Sequence, residues 1–161
     1  MANPVKTNAI RLLESSSIAF TAHEYDIADG EIDAQSIARK LGVEPDRVFK
    51  TLVAENPDKE HFVFVVPAAG SLNLKKAAKT AQAKSIAMIK QKELLPLTGY
   101  IHGGCSPIGM KKLFPTFIDE TAQLYDYICV SAGAIGTNIA VNPDRLLQYL
   151  SASYADITLF S

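Results

Sequence analysis

A lysine interrupts the apolar stretch "RVFKTLV", residues 47–53. In an extended strand Val48, Lys50 and Leu52 face one side and Phe49 faces the other. A buried ammonium without a partner is unfavourable, so it normally gains a counter-ion or loses its proton. One interpretation is an edge strand whose lysine blocks aggregation, and the strand pattern alone favours it. The other is a cation at a pocket mouth that binds a phosphate, a carboxylate or a reacting carbonyl.

A second group of residues suited to chemistry is "GYIHGGCSPIGMKK", residues 99–112, which is predicted to be a loop. Gly103 and Gly104 have no side chains, so their backbone N–H groups can approach an anion or a developing oxyanion. An ordinary glycine-rich turn explains the same pattern, and spacing alone favours neither.

Cys105 lies in this loop, three residues after His102. A cysteine nucleophile needs a base and an electropositive, accessible setting. A cysteine-dependent hydrolase is therefore one function to consider. A small residue packed in a turn explains the same position, and the pattern favours that structural role.

Metal ligation is not predicted. His23, His61 and His102 lack metal-ligand spacing, and neither Cys105 nor Cys129 has a cysteine close by in the sequence. Two thiols in a chain of this length are typical of a reducing compartment rather than of a disulfide scaffold. We predict no structural zinc site and no cofactor.

The stretch "VSAGAIGTNIAVNPDRL", residues 130–146, places Gly133 and Gly136 between two predicted strands. Most such glycine pairs form hairpin turns, but this pair also offers a second wall of backbone groups.

Earlier in the chain, a run of four lysines fits either a solvated helix face or a contact with a polyanion backbone. These are Lys75, Lys76, Lys79 and Lys84.

Composition sets the broad class. The chain has 161 residues, 48% of them hydrophobic and 20% charged, which is typical of one globular domain spanning 1–161. A formal net charge of −1 gives no global field for nucleic acid, although it leaves room for a local basic patch. We find no signal-peptide pattern and no apolar run near the roughly 18 residues of a membrane span. A cytoplasmic protein without membrane contact is predicted.

Elements that position these residues follow from periodicity and turn signals. Helices are predicted over 4–15, 33–42, 71–82, 90–100 and 142–150, and strands over 18–25, 47–55, 61–68, 115–119, 126–133, 137–141 and 155–160, with 84–89 open between strand and helix. Strands that recur between helices and hairpins indicate an α+β or mixed α/β fold rather than a regular parallel crossover fold.

Signals for helix ends refine these ranges. Pro4 suits the first turn of the first helix, and Gly42 suits a left-handed cap. Either Ser71 or Asn73 can cap the third helix, and Asn142 the last. The helix over 90–100 is expected to stop near Pro96 and Gly99.

Five stretches occur together in one order: "VFKTLV", "VPAAGSLNLKKAAK", "TGYIHGGCSPIGMKK", "PTFIDE" and "VSAGAIGTNIAVNPDRLL". With this order and spacing, the chain from about residue 5 to 160 resembles the YbaK/EbsC family of aminoacyl-tRNA deacylases, freestanding relatives of the prolyl-tRNA synthetase editing domain. The resemblance implies a twisted, partly barrel-like mixed β-sheet surrounded by helices. It also favours the pocket interpretation of Lys50.

The activity that the resemblance implies is removal of a wrong amino acid from charged tRNA, in the YbaK branch cysteine from tRNA(Pro). The implied route uses the substrate's own thiol as nucleophile and yields a cyclic thiolactone, so Cys105 need not be catalytic. The implied partners are the 3′ end of aminoacyl-tRNA and prolyl-tRNA synthetase. A non-catalytic module of the same fold that binds tRNA or the synthetase stays open, and so does the oligomeric state.

Site residues carried over from the resemblance form two groups. The catalytic group is Lys50, Gly103 and Gly104. The backbone N–H groups of the two glycines would face the ester carbonyl. The substrate-binding group is Tyr25, Phe49, Cys105, Ser106, Gly133, Gly136 and Asn138.

Two positions depart from the family pattern. The family often has Asp where this chain has Asn138, and an amide cannot act as a base. The "CSP" at residues 105–107 also departs from the pattern, which is compatible with a different subgroup.

Overall fold

The computed structural model describes residues 6–160. Its helices are α1 (Asn8–Glu14), α2 (Ala34–Leu41), α3 (Leu74–Thr80), α4 (Gln91–Thr98) and α5 (Pro143–Leu150). Its strands are β1 (Phe20–Glu24), β2 (Phe49–Glu55), β3 (His61–Pro67), β4 (Ser71–Leu72), β5 (Ala87–Met88), β6 (Thr116–Asp119), β7 (Ile128–Ala134), β8 (Thr137–Val141), β9 (Ser153–Ala155) and β10 (Thr158–Leu159). Short 3-10 helices cover Pro45–Arg47 and Glu120–Leu124. Within the described range, every helix is too short to cross a lipid bilayer.

The strands form a five-stranded sheet in the order β5-β2-β3-β6-β9, a three-stranded sheet β1-β8-β7 and the pair β4-β10. The pairings β3–β6 and β6–β9 are parallel, and the remaining ladders are antiparallel. The two larger sheets meet at one parallel bridge between Val48 and Cys129. The predicted mixed α+β fold is confirmed, but among the described residues this bridge is the only strand pairing between the two larger sheets, which do not close into a barrel.

Hydrophobic burial fixes how the sheets pack. Leu13 of α1 and Leu146 of α5 join Val65 and Ile139 in one fully buried cluster between the two larger sheets. On the other face of the five-stranded sheet, a second cluster holds Phe64 beneath the alanines of α3. Burying side chains of this size contributes about 1.5–3 kcal/mol each, so the strand that carries Lys50 is held from both faces.

Helix caps agree with the predicted signals. The side chain of Asn73 accepts the N–H of Lys76 at 3.1 Å, so Asn73 rather than Ser71 caps α3. Asn142 caps α5 in the same way. Gly42 ends α2 with φ of 71°, a left-handed conformation that glycine adopts without steric cost.

The predicted start of the first helix is wrong, whereas the predicted end of α4 near Gly99 and the strand alternative for 84–89 are confirmed. The first helix begins at Asn8 because Thr7 caps it by accepting the Ile10 N–H at 3.2 Å; Pro4 lies outside the described residues. Helix α4 continues through Pro96 and ends at Gly99. The open stretch 84–89 contains the short strand β5.

The predicted last strand over 155–160 is in fact two strands. Asp119 lies at the end of β6, and its Oδ1 accepts the Ile157 N–H at 3.1 Å. At this bond the chain leaves the β6–β9 ladder. Thr158 and Leu159 then pair with β4. A buried side-chain acceptor far away in the sequence therefore divides a segment whose own residues favour continuous extension.

Candidate functional site

The edge of β2 is open where Lys50 lies. On one side β3 pairs with β2 along its whole length, Phe49–Glu55. On the other side, within the described part of the chain, β5 pairs only with Ala54 and Glu55, and β7 only bridges Val48. The edge-strand interpretation thus holds locally, but the open edge faces a cavity.

This cavity has a volume of about 670 Å³ and is walled by β2, the 25–33 segment, the start of α4 and the loop 99–112. Six of the predicted site residues line it: Tyr25, Phe49, Lys50, Gly103, Cys105 and Asn138. A cavity of about 700 Å³ at the start of α5 contains none of them. The structure therefore brings together residues that are up to 113 positions apart, as from Tyr25 to Asn138.

Lys50 is a partly buried cation without a counter-ion. Its ammonium forms no ion pair or hydrogen bond with any residue in the range 6–160. Loss of solvation by burial lowers the pKa of the Lys50 ammonium below its ordinary value of 10.5. An anionic or carbonyl group that entered the cavity would supply the missing partner.

Two buried oxygens in the same cavity also lack partners. The Oγ1 of Thr51 and the Oδ1 of Asn138 have no hydrogen bond within the described residues, although Thr51 is 8% and Asn138 5% exposed. Leaving a buried polar group unsatisfied costs about 1–3 kcal/mol. Both residues line the cavity that Lys50 also lines, so a polar ligand there is a candidate partner for these oxygens.

Gly104 is not among the lining residues, and its backbone N–H already has a partner, which leaves Gly103 as the better candidate for the predicted oxyanion contact. Its N–H donates to the Ile101 carbonyl at 3.0 Å and is therefore engaged within the loop. A Cβ at this position would lie 3.0 Å from the Ile135 backbone nitrogen and 3.2 Å from the Ala134 carbonyl carbon. Gly104 lets the loop touch the β7–β8 hairpin, whereas Gly103, with φ of 86°, lines the cavity itself.

Gly133 and Gly136 fix neighbouring segments rather than line the cavity. A Cβ on Gly133, whose φ is 100°, would lie 2.7 Å from the Tyr100 ring, and the Tyr100 hydroxyl donates to the Ile108 carbonyl. The loop 99–112 is thereby held against β7. The Gly136 carbonyl accepts the Tyr25 N–H at 2.9 Å, which fastens Tyr25 to the hairpin.

Ser106 is fully buried and also outside the cavity lining. Its Oγ accepts the Ile108 N–H at 3.2 Å and so shapes the loop from within. Thr51, Ser131 and His102 line the cavity but are not among the predicted site residues. Alternation along β2 places Thr51 on the face opposite Lys50. Both residues nevertheless line the cavity, because the edge of β2 is open at this point.

Cys105 is a poor nucleophile in this setting. Burial raises the pKa of its thiol to about 12, although the hydrogen bond with Thr98 acts in the opposite direction. A reactive thiol needs a lowered pKa so that thiolate is present near neutral pH. The geometry therefore favours a packing role for Cys105 at the cavity wall.

One further group of polar side chains lies at the far end of β2. One ligand atom from each of Glu55, His61 and Glu93 falls within 4.8 Å of the others. The Glu55 carboxylate already binds Lys59 at 2.9 Å, which neutralises part of this cluster. None of the three residues lines the 670 Å³ cavity.

Lys40 holds the cavity wall formed by the 25–33 segment. Its Nζ donates to the Asp26 carbonyl at 2.7 Å, to Asp29 Oδ1 at 2.8 Å and to the Glu31 carbonyl at 2.8 Å. The Lys40 side chain is only 12% exposed, although its partner Asp29 is 42% exposed. Lys40 thereby connects α2 to the segment that carries Tyr25.

Replacing Lys40 by methionine is expected to lower the free energy of unfolding by about 2 kcal/mol, since hydrogen bonds to charged groups contribute about 1.5–3 kcal/mol. Urea denaturation measures this loss, and proteolysis should accelerate within residues 25–33. The neighbouring Arg39→Met is the control, because Arg39 is 67% exposed in its pair with Glu31. Such a pair contributes less than about 1 kcal/mol. Equal losses in the two variants would contradict the anchoring role of Lys40.

Fold and site together define an α+β protein whose open strand edge presents an unpaired cation and unsatisfied oxygens to a polar ligand. The chain belongs to the aminoacyl-tRNA editing domain family, whose model matches residues 31–149. This range includes Lys50, Gly103 and Asn138, whereas Tyr25 lies before it.

Individual relatives agree with this assignment. A protein of Enterococcus faecalis, provisionally named Cys-tRNA(Pro)/Cys-tRNA(Cys) deacylase EbsC, is 42% identical over 153 residues, which is 95% of this chain and 93% of that protein. A solved structure described provisionally as a trans-editing enzyme for prolyl tRNA synthetase is 24% identical, with a TM-score of 0.79 and 87% of each chain covered. The hypothetical protein APE2540 has a TM-score of 0.84 at 18% identity, covering 92% of this chain and 97% of its own. At these identities the two structures establish the fold.

Proposed function

We propose that this chain is a trans-acting deacylase that removes a mischarged small amino acid, above all cysteine, from tRNA(Pro). The observation that carries the proposal is the Lys50 ammonium, which has no ion pair or hydrogen bond within residues 6–160 and shares its cavity with the unsatisfied oxygens of Thr51 and Asn138. The name of the relative from Enterococcus faecalis supports the choice of cysteine. Such a protein acts in the cytoplasm, and association with prolyl-tRNA synthetase would deliver its substrate.

The cavity supplies position and charge rather than a nucleophile. An aminoacyl ester is already activated, so orientation and stabilisation of the developing oxyanion suffice. Lys50 holds the terminal phosphate or the ester oxygen, the Gly103 N–H faces the carbonyl, and Asn138 Oδ1 accepts from the substrate's amino group. Tyr25 and Phe49 close the walls around a small side chain.

For a cysteinyl substrate, the thiol of the substrate performs the attack. Its sulfur bonds to the ester carbonyl carbon, the bond from that carbon to the ribose oxygen breaks, and the ribose oxygen leaves with the thiol's proton. The products are uncharged tRNA and a cyclic thiolactone. This route requires no thiolate on the protein, in agreement with the raised pKa of Cys105.

A deacylation panel with Cys-, Ala-, Ser- and Pro-tRNA(Pro) tests the proposal. Cys-tRNA(Pro) is expected to be hydrolysed fastest and Ser-tRNA(Pro) far more slowly, since serine is close in size but lacks the thiol. A hydrophobic pocket alone separates substrates that differ by one methylene only about 10- to 200-fold. Binding of tRNA without loss of any ester would instead identify a non-catalytic binding module.

Replacing Cys105 by serine is expected to leave deacylation of Cys-tRNA(Pro) within about threefold of wild type, because a thiol with a pKa of about 12 is not ionised at neutral pH. Single-turnover kinetics measure the rate, and iodoacetamide treatment of the wild type serves as a second measurement. An inactive serine variant that still folds, together with substrate protection against iodoacetamide, would establish the cysteine-dependent hydrolase instead.

A further inference from the structure

Basic residues are concentrated in one part of the chain, residues 71–112, which we call the basic segment. It contains eight lysines and a single acidic residue, Glu93, for a net charge of +7. The whole chain carries −1, so the remaining residues together carry −8. The near-neutral total thus conceals a strongly polarised molecule.

The basic segment also forms one wall of the cavity. Met88, Ile89, Gln91 and Leu94 line it from β5 and α4, and the loop 99–112 adds His102, Gly103 and Cys105. All eight lysines are exposed: Lys75, Lys76, Lys79, Lys84, Lys90, Lys92, Lys111 and Lys112. Three lie on α3, two flank β5, one lies on α4 and two lie on the loop 99–112, and none of them lines the cavity itself.

Most of these lysines form no ion pair within residues 6–160, although Lys90 acts electrostatically on Glu55. Over the described range 6–160, Lys76 is the one member of the set that forms an ion pair, with Asp156 at 2.9 Å. A surface lysine that serves only solubility is commonly interspersed with acidic neighbours. Seven exposed ammonium groups that form no ion pair within the described residues, all in the segment that supplies one cavity wall, form a surface suited to a polyanion.

The 25–33 segment, which forms another wall of the cavity, has the opposite charge. Residues 24–33 carry five carboxylates and no basic residue. Lys40 and Arg39 compensate Asp29 and Glu31, respectively. A polyanion is therefore repelled from this wall and attracted to the basic segment, which gives it one direction of approach.

We propose that the basic segment is the docking surface for the sugar-phosphate backbone of the RNA whose 3′ end enters the cavity. Phosphates along the acceptor end bind the lysines from α3 to the loop 99–112, and the terminal adenosine reaches Lys50. This inference rests on the proposed function because it takes the occupant of the cavity to be an RNA 3′ end. It explains how a chain with a net charge of −1 holds a nucleic acid.

Binding of an RNA minihelix that carries no amino acid, with the acceptor stem of tRNA(Pro) and a CCA end, tests the surface without any turnover. We compare the double variant Lys84→Glu/Lys92→Glu with Arg11→Glu/Arg145→Glu, which undergoes the same change in net charge. Both arginines are exposed, on α1 and α5, and do not line the cavity. Dissociation constants are measured between about 50 and 200 mM salt, the range over which phosphate contacts change affinity most clearly, and thermal unfolding checks each fold.

The lysine variant is expected to bind at least ~10-fold more weakly at low salt, and the magnitude of the slope of log K against log salt should fall by about 1.4–1.8, since each of the two lost phosphate contacts contributes about 0.7–0.9. The arginine variant should keep the wild-type slope. If Lys84→Glu/Lys92→Glu does not fold, Lys111→Glu/Lys112→Glu takes its place with the same expectation.

Three results would overturn the docking surface. The first is equal weakening of minihelix binding by the lysine and arginine variants, and the second is an unchanged salt slope in the lysine variant. The third is a lysine variant that binds the minihelix as wild type does but no longer binds prolyl-tRNA synthetase. The last result would assign the basic segment to a protein partner. The minihelix carries no amino acid, so its binding is independent of hydrolysis. A chain that binds it through these lysines yet cleaves no ester contradicts the proposed function and leaves the docking surface standing.

Discussion

Replacing Lys50 by alanine is expected to reduce deacylation of Cys-tRNA(Pro) by about 100- to 1,000-fold, the usual loss when one preorganised charge is removed from a reacting carbonyl. The fold should persist, because Lys50 forms no ion pair or hydrogen bond within residues 6–160. Single-turnover deacylation measures the rate, and circular dichroism with thermal unfolding checks the structure.

Matched variants separate the charge of Lys50 from its bulk. Lys50→Met keeps the stem without the ammonium and should be nearly as inactive as alanine. Lys6→Ala removes a lysine that is 61% exposed and does not line the cavity, and it should retain full activity. Wild-type rates in Lys50→Met would remove the cation from the mechanism.

The pH dependence of the deacylation rate tests the same contribution of the Lys50 charge. Burial lowers the pKa of the Lys50 ammonium below 10.5, so the charged form is lost at a lower pH than for an ordinary lysine. The enzyme-dependent rate, corrected for spontaneous ester hydrolysis, should fall as pH rises through this lowered pKa. Lys50→Arg keeps its charge throughout this range, and any activity it retains should lack the descending limb. The same limb in the arginine variant would assign it to another group.

Lys50 could be predicted as a site residue because a charge within an apolar strand conflicts with burial. That conflict is local and visible in seven residues, 47–53. Thr51 could not be predicted in the same way, because a threonine in a strand is unremarkable. Its Oγ1 matters because the fold buries it beside the cavity without a partner among the described residues, and this depends on β5 pairing with only two residues of β2.

The glycines show the same division between local and long-range information. Their spacing predicts flexible turns, and Gly103 lines the cavity as expected. Which turn touches which segment depends on contacts between β7, Tyr100 and the 25–33 segment. Sequence alone could not assign Gly133 to packing beneath an aromatic ring. The prediction of one last strand was wrong for the same reason, since a side chain from β6 divides it.

Gly104→Ala is expected to reduce deacylation about 10-fold, although Gly104 does not line the cavity. Its new Cβ would lie 3.0–3.3 Å from backbone atoms of Ala134 and Ile135, which cannot rotate away as a side chain can. The loop must therefore move by a few tenths of an ångström and carry Gly103 with it. Displacements of about 1 Å near a reacting carbonyl cost on the order of 100-fold. The measurement is single-turnover deacylation of Cys-tRNA(Pro).

Gly42→Ala provides the control that separates this loss from instability. Gly42 has φ of 71°, and a Cβ at this position would have no heavy atom within 4 Å, so alanine there meets backbone strain alone. A left-handed alanine costs about 1–2 kcal/mol, and crowding at Gly104 costs a similar amount, about 1–3 kcal/mol. Both variants should unfold at lower urea concentration, but only Gly104→Ala should lose activity. If the two lose activity in proportion to stability, contact between the loop and the β7–β8 hairpin has no catalytic role.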